Sequence, residues 1–119
     1  MKKKKCFLIA EIGLAHDGSA GIAKSYIDLA AELGFDAIKF QTHIADAEST
    51  PNEHFRSKIF FQDKSRFDYW KRTSFDFSIW KYLFDYSKKK KINCFSSAFL
   101  NKSLKLLKKL NQKYWKIPS

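Results

Sequence analysis

Short apolar segments alternate with amphipathic ones in the first third of the chain. Residues 5–12 and 36–41 are apolar runs of strand length, and apolar residues recur at helical spacing between them, over 22–33. The turn 16–19 offers N-caps for this helix, and Gly34 stands where a C-terminal cap belongs. Strand, helix and strand within about 40 residues have the size of a βαβ unit, which predicts two parallel strands with a right-handed crossover.

The alternation returns after a long break. Residues 42–74 contain six aromatic residues and no clear period, which is typical of a functional excursion. A helix is then predicted from Phe77 into the lysines at 88–91, a strand at 92–97, a helix over 104–110 with Asn101 as its cap, and a strand at 114–117. This order predicts a parallel sheet, either doubly wound or part of a (β/α)₈ barrel. No GxGxxG follows the first strand, which disfavours a dinucleotide-binding fold.

Charge is distributed unevenly along the 119 residues, whose formal net charge is +11. Residues 1–85 are nearly neutral, whereas residues 86–119 carry ten lysines and no acidic residue. Such a tail suggests a nucleic-acid surface, but 20 Lys against 3 Arg is a poor composition for base readout and bidentate phosphate binding. No apolar run approaches the roughly 20 residues of a membrane span or forms a signal peptide, so we expect a cytoplasmic protein.

The cysteines and histidines show no metal-ligand spacing. Cys6 and Cys94 lie in apolar strand-like runs, which favours buried thiols over a disulfide framework. His16, just past the first strand, is the best histidine for a polar contact, whereas His43 and His54 are interpreted as loop residues. No metal site is therefore predicted within these residues.

Polar residues interrupt the apolar strands near their ends. Lys39 and Gln41 are two residues apart, so both project from one face of the second strand. The carboxyl ends of parallel strands meet at one rim, where α/β folds place their active sites. Lysines and hydroxyls suit a phosphate and a carboxylate, Glu11 suits acid–base work, and an amide suits orientation. The rim residues that predict a site for a small phosphorylated anion are Glu11, Lys39, Gln41, Ser96, Ser97, Lys116 and Ser119.

Five motifs together resemble the sialic acid synthases, that is, N-acetylneuraminate synthase and its relatives for legionaminic and pseudaminic acids. The motifs follow the order of that family over the whole chain. They are Ala10-Glu11-Ile12-Gly13, His16-Asp17-Gly18, Asp36-Ala37-Ile38-Lys39-Phe40-Gln41-Thr42, Phe95-Ser96-Ser97-Ala98-Phe99 and Trp115-Lys116-Ile117-Pro118-Ser119.

The resemblance implies a fold and a reaction. The family has a (β/α)₈ barrel followed by a small antifreeze-like domain and works as a homodimer. Residues 1–119 would form the N-terminal half of the barrel with a long insert at 42–74, and the C-terminal half-barrel and antifreeze-like domain would be absent. The family condenses phosphoenolpyruvate with an N-acylated amino sugar such as N-acetylmannosamine, releases phosphate, and serves polysaccharide biosynthesis. It uses a divalent metal, Mn or Mg, whose ligands would lie outside this chain.

The resemblance also implies residue roles. Lys39 and Lys116 resemble the lysines that hold phosphoenolpyruvate, and Ser119 resembles a phosphate-binding serine. Ser97 stands where the family usually has the threonine of a Ser-Thr-Pro-Phe motif, and Ala98 replaces the proline. The turn Ala15-His16-Asp17-Gly18 departs from the usual Asn-His-Asn-Gly. The implied site comprises Glu11 and Gln41 as catalytic residues, Lys39, Ser97, Lys116 and Ser119 as phosphoenolpyruvate ligands, and Phe99 and His16 in the substrate pocket.

Other interpretations stay open. Another phosphoenolpyruvate-dependent aldolase-type barrel, making an eight-carbon or aromatic-pathway sugar acid, shares the fold and a lysine-rich phosphate site. The chain could also be an inactive remnant, and we expect no turnover from the 119 residues alone. A basic nucleic-acid-binding module is the third interpretation. It is disfavoured because the aromatic residues follow core phases and do not interleave with lysines.

Overall fold

A computed structural model describes residues 6–55 and 61–119 as an α/β structure. The predicted first strand, 5–12, and the predicted excursion, 42–74, each include residues outside this range, namely Lys5 and 56–60. The described elements, in chain order, are β1 (Ile9–Gly13), α1 (Ala20–Glu32), β2 (Ala37–Thr42), α2 (Ala45–Glu48), α3 (Arg66–Thr73), α4 (Phe77–Lys89), β3 (Asn93–Ala98) and α5 (Asn101–Lys109).

The strands form one parallel sheet in the order β1-β2-β3. The predicted parallel pairing and the alternation of strands with helices are therefore confirmed. The predicted strand at 114–117 is wrong in its extent, because within residues 6–55 and 61–119 this segment pairs through a single parallel bridge, between Ser97 and Lys116. Tyr114 packs against Phe7 and Phe95, but Trp115 and Ile117 on either side of the bridge are exposed, so little burial favours a longer ladder.

The helix ends confirm the caps predicted at Ser19 and Gly34. Asn101 is wrong as an N-cap, because α5 already begins at Asn101, with Leu100 at the N-cap position and its backbone N–H bonded to Ser103 Oγ. Ser19 Oγ accepts a hydrogen bond from the Ile22 backbone N–H at 3.2 Å, and Gly34 takes a left-handed φ of 78° just after α1. Asp76 caps α4 in the same way, through a 2.9 Å bond from the Ile79 N–H. These local bonds fix the residues at which the two long helices begin.

The core lies on one face of the sheet. Phe40 of β2 meets Trp80 of α4 edge to face, with ring centroids 5.9 Å apart, and Ile27 of α1 and Leu83 of α4 are fully buried beside them. Each such side chain contributes roughly 1.5–3 kcal/mol through burial. The opposite face, which carries Lys39, leaves the large side chains of Phe7, Ile9 and Trp115 exposed.

The two cysteines are free thiols. Cys94 is partly buried on the face of the sheet that packs against the hydrophobic core, and burial raises the pKa of its thiol to about 12. Cys6 is exposed, so the prediction of a buried thiol is wrong there. The reason is that β1 begins only at Ile9, and the residues before it lie at the open side of the sheet.

No helix in the described ranges 6–55 and 61–119 combines the length and the apolar character that a membrane crossing requires.

Candidate active site

A row of polar side chains crosses the open face of the sheet. Lys39 lies at its centre and is only 7% exposed. Its Nζ is 2.6 Å from Glu11 Oε2 on β1 and donates a hydrogen bond to Ser97 Oγ on β3 at 3.3 Å. A buried ammonium group needs such partners, because its charge is otherwise costly to desolvate. Three strands thus hold one cation between a carboxylate and a hydroxyl.

The strand register explains the row. Glu11 is aligned with Lys39, Gln41 with Ser97, and Ser97 with Lys116. Alternate residues of a strand share a face, so the polar residues at 39, 41 and 97 lie opposite the core residues at 38 and 40. The register therefore places four of the predicted rim residues on one face of the sheet, namely Glu11, Lys39, Gln41 and Ser97.

Lys116 extends the row at the edge of β3. It is exposed, and its Nζ donates to its neighbour's carbonyl, Ile117 O, at 2.9 Å. A cavity of about 520 Å³ on the open face is lined by Glu11, Lys39, Phe95 and Lys116 among others, so both lysines border the same space. Ser119 is exposed, and no hydrogen bond joins it to the described part of the chain.

A second cavity, of about 660 Å³, lies at the carboxyl end of the sheet. Its lining combines amide, imidazole and guanidinium groups with aromatic rings. The aromatic rings come mainly from the excursion, which carries α3, and from Phe99 after β3. The residues that line this cavity include Gln41, His43, Arg66, Tyr69, Trp70 and Phe99.

His43 is the residue that the sequence interpretation missed. Its ring lies between those of Trp70 and Phe99, with centroid distances of 4.7 and 4.0 Å and interplanar angles of 9° and 22°. Nδ1 is 2.6 Å from Glu48 Oε2, and both side chains are more than nine-tenths buried. The signal was present in the alternation, since His43 follows Lys39 and Gln41 at the same spacing of two.

The family profile described as NeuB family matches residues 26–119. The chain belongs to the NeuB family. In this NeuB-family chain, 119 aligned residues are 33% identical to N,N'-diacetyllegionaminic acid synthase of Campylobacter jejuni subsp. jejuni serotype O:2, over 98% of the chain and 36% of the relative. Identity to the pseudaminic acid synthase of C. jejuni serotype O:23/36 is 31%, over 98% of the chain and 35% of the relative.

Solved structures agree with the family. An N-acetylneuraminic acid (sialic acid) synthetase from Leptospira borgpetersenii, in complex with citrate, superposes with a TM-score of 0.78 at 30% identity, covering 96% of the chain and 36% of that structure. The spore coat polysaccharide biosynthesis protein SpsE of Bacillus subtilis gives 0.69 at 31% identity, covering 98% and 30%. The NeuB-family chain thus spans about a third of the length of its relatives.

Two predicted site residues of the NeuB-family chain face its core, namely His16 of the implied substrate pocket and Ser96 of the predicted rim. His16 is fully buried, stacks on Phe75 at 4.4 Å, and accepts a hydrogen bond at Nδ1 from the Gly18 N–H at 3.1 Å. Burial lowers the pKa of His16 to about 4. Ser96 points to the helices, where its hydroxyl meets that of Thr42 at 2.7 Å. Neither residue lines either cavity, so direct contact with a substrate is not supported by these positions.

A metal site is likewise not formed by the part of the chain that the structure describes. No group of three or more His, Cys, Asp or Glu side chains in residues 6–55 and 61–119 could hold a metal ion. His16 and His43 are separated, since His16 stacks on Phe75 in the core and His43 is paired with Glu48. The residues present therefore do not fit the divalent metal that the family resemblance implies.

Proposed function

We propose that this chain supplies the phosphoenolpyruvate-binding part of a sialic-acid-type synthase active site. The observation that carries the proposal is the row in which Lys39 contacts Glu11 and Ser97 on neighbouring strands. Supporting it are the NeuB family match and relatives named as synthases of legionaminic and pseudaminic acids.

The proposed ligand roles follow from charge. Phosphoenolpyruvate carries a phosphate and a carboxylate, and charge-assisted hydrogen bonds to such anions are roughly twice as strong as hydrogen bonds between neutral groups. Lys39 and Lys116, which border one cavity, provide two such groups, and the Ser97 hydroxyl provides a neutral donor beside Lys39. The incoming anion competes with Glu11 for the Lys39 ammonium, which frees the Glu11 carboxylate. Ser119 is proposed as a further phosphate ligand.

The acceptor is proposed to occupy the cavity at the carboxyl end of the sheet. Gln41 lines this cavity and pairs with Ser97 across the strands, so its amide stands between the two proposed substrates. An N-acylated amino sugar combines hydroxyls and an amide with apolar faces, which suits aromatic rings such as Phe99 among a few polar groups. C3 of phosphoenolpyruvate bonds to the sugar's aldehyde carbon, and the aldehyde oxygen takes up a proton. Water then adds at the oxocarbenium carbon C2, and the bond between C2 and the phosphate oxygen breaks. The products are phosphate and a nine-carbon 2-keto acid.

The wider architecture is part of the same proposal. Residues 1–119 would be the N-terminal half of a (β/α)₈ barrel, with the sheet face that carries Lys39 turned toward the barrel axis. A C-terminal half-barrel, an antifreeze-like domain and a homodimer would complete the synthase. The divalent metal would be held by residues outside this chain, and no step assigned to the residues described here depends on it.

Binding of phosphoenolpyruvate tests the proposal. The 119-residue chain is first checked for a cooperative melting curve by circular dichroism and then titrated with phosphoenolpyruvate in a calorimeter. Lys39→Gln removes one hydrogen bond to a charged group, worth roughly 1.5–3 kcal/mol, so the Kd should rise about 10- to 100-fold. Lys81→Gln is the matched control, because Lys81 pairs with Asp85 on the exposed side of α4.

Two results would overturn the proposal. One is a folded chain that does not bind phosphoenolpyruvate at millimolar concentration. The other is a Lys39→Gln variant that binds it as tightly as the Lys81→Gln control. Release of phosphate from phosphoenolpyruvate and N-acetylmannosamine is measured in parallel, and we expect no turnover from the 119 residues alone.

A further inference from the structure

The proposed reaction assigns no role to the buried pair of His43 and Glu48. His43 is 8% exposed, yet it lines the cavity at the carboxyl end of the sheet. Trp70 and Phe99 stack on the two faces of its ring, and Glu48 occupies Nδ1. The ring edge that carries Nε2 is therefore the part of His43 that borders the cavity. Within residues 6–55 and 61–119, Nε2 has no hydrogen-bond partner, and it is not among the atoms that are closed off from solvent.

The partner at Nδ1 decides the chemistry at Nε2. Glu48 is held in turn, because its Oε1 accepts a 2.9 Å hydrogen bond from the Ile44 backbone N–H while Oε2 faces Nδ1. A carboxylate only accepts, so Nδ1 must carry the proton of the 2.6 Å bond. In the neutral ring, Nε2 is then a bare acceptor at the cavity wall.

We propose that His43 binds the acceptor sugar by accepting a hydrogen bond at Nε2, from a hydroxyl or an amide N–H of the sugar. Glu48 is the positioning residue that fixes the tautomer required for this bond. The inference rests on the function proposed above, since it places the N-acylated amino sugar in this cavity. The aromatic stacking keeps the ring from turning, so the acceptor is held in a single direction.

An isosteric change inverts the polarity of the site. In Glu48→Gln the amide oxygen stays on the Ile44 N–H, because the alternative would bring two donors together. The amide NH₂ then faces Nδ1 and donates to it, which moves the ring proton to Nε2. The acceptor at the cavity wall becomes a donor without a change of shape.

Nuclear magnetic resonance of the chain labelled with ¹⁵N-histidine reads the tautomer directly. We expect an unprotonated Nε2 for His43 in the original chain and a protonated Nε2 in Glu48→Gln. The spectrum of His43→Phe assigns the signal among the three histidines. N-acetylmannosamine, added after saturating phosphoenolpyruvate, should shift the Nε2 resonance of the original chain.

Affinities complete the test. We expect Glu48→Gln and His43→Phe to raise the Kd for N-acetylmannosamine about tenfold, as the loss or reversal of one hydrogen bond does. His43→Gln, whose amide oxygen can occupy the Nε2 position, should retain most of the affinity. If Glu48→Gln fails to fold, the His43→Phe and His43→Gln pair carries the comparison. Asp85→Asn on α4, which removes an exposed carboxylate paired with Lys81, is the control. The Kd for phosphoenolpyruvate should change less than twofold in every variant.

The outcomes separate the two proposals. A protonated Nε2 in the original chain overturns the inference, as does an unchanged sugar Kd in Glu48→Gln or in His43→Phe. If phosphoenolpyruvate binds normally and the sugar leaves the His43 Nε2 signal unmoved, the inference fails while the phosphoenolpyruvate site stands. If the original chain binds no phosphoenolpyruvate, the proposed function fails and the inference with it.

Discussion

Gly18 is the position where a single methyl group should distinguish backbone strain from a steric clash. It lies in the turn after β1 with a φ of 79°, in the region that L-residues rarely adopt. A Cβ added there would overlap the Arg72 carbonyl oxygen and lie 3.3 Å from Thr73 Cα, both at the end of α3. Gly34 offers the matched comparison, since its φ is 78° and a Cβ there would meet nothing within 4 Å.

The two substitutions share one cost and differ in another. Alanine in the left-handed region costs roughly 1–2 kcal/mol, and the stiffer unfolded chain returns about 0.4–1 kcal/mol. Gly34→Ala should therefore lower the free energy of unfolding by about 1 kcal/mol. Gly18→Ala adds the cost of forcing an atom against backbone, roughly 1–3 kcal/mol. The difference between the variants is thus about 1–3 kcal/mol.

Urea unfolding and thermal melting, both followed by circular dichroism, measure this difference. At roughly 4 °C per kcal/mol for a chain of this size, Gly18→Ala should melt several degrees below Gly34→Ala. Displacement of α3 in Gly18→Ala should also disturb the cavity at the carboxyl end of the sheet, because Tyr69 and Trp70 of α3 line that cavity. Equal losses of unfolding free energy in the two variants would refute the close packing of the turn against α3. They would also refute the position of α3 as a wall of the cavity at the carboxyl end of the sheet.

Three further outcomes follow from buried polar groups. The pKa of His16 is about 4 in the folded chain, against 6.5 for a free histidine, so the unfolded chain binds an extra proton as the pH falls through this window. The free energy of unfolding should fall by up to about 3 kcal/mol between pH 6.5 and 4, and it should fall less steeply in His16→Asn, which keeps an acceptor for the turn. Urea titrations at stepped pH measure this free energy. The same dependence on pH in the original chain and in His16→Asn would contradict the prediction. A thiol-reactive disulfide at pH 8 should modify Cys6 rapidly and Cys94 slowly, because burial raises the pKa of the Cys94 thiol to about 12; a fast phase that survives Cys6→Ser would be the opposite result. Ser96→Ala should lower the free energy of unfolding by about 1–2 kcal/mol, because it leaves the buried Thr42 hydroxyl unpaired. The double variant with Thr42→Val should lose little more in urea unfolding. Losses that add up would show that the two hydroxyls are independent.

Local rules predicted much of the fold. Helical spacing and the caps at Ser19 and Gly34 located α1 to within a few residues, and apolar runs located β2 and β3. The first strand begins at Ile9 and not at the predicted residue 5. Its ladder starts where Leu8 O accepts hydrogen bonds from the Asp36 and Ala37 N–H groups, which is a contact between distant parts of the chain. The segment at 114–117 has strand composition, but Trp115 and Ile117 are exposed, and only the bridge between Ser97 and Lys116 joins this segment to the sheet among the described residues.

The sequence by itself determined which side chains share a face. The two-residue period of a strand places Lys39 and Gln41 together whatever the sheet packs against, and helical spacing likewise sets the buried stripe of α1. The tertiary structure decided which of the polar residues reach the site. Packing of α3 and Phe75 around the first turn buries His16, whereas the stack between Trp70 and Phe99 holds His43 at the cavity. These contacts join residues far apart in the chain, and they depend on the fit of several elements at once, which no local period encodes.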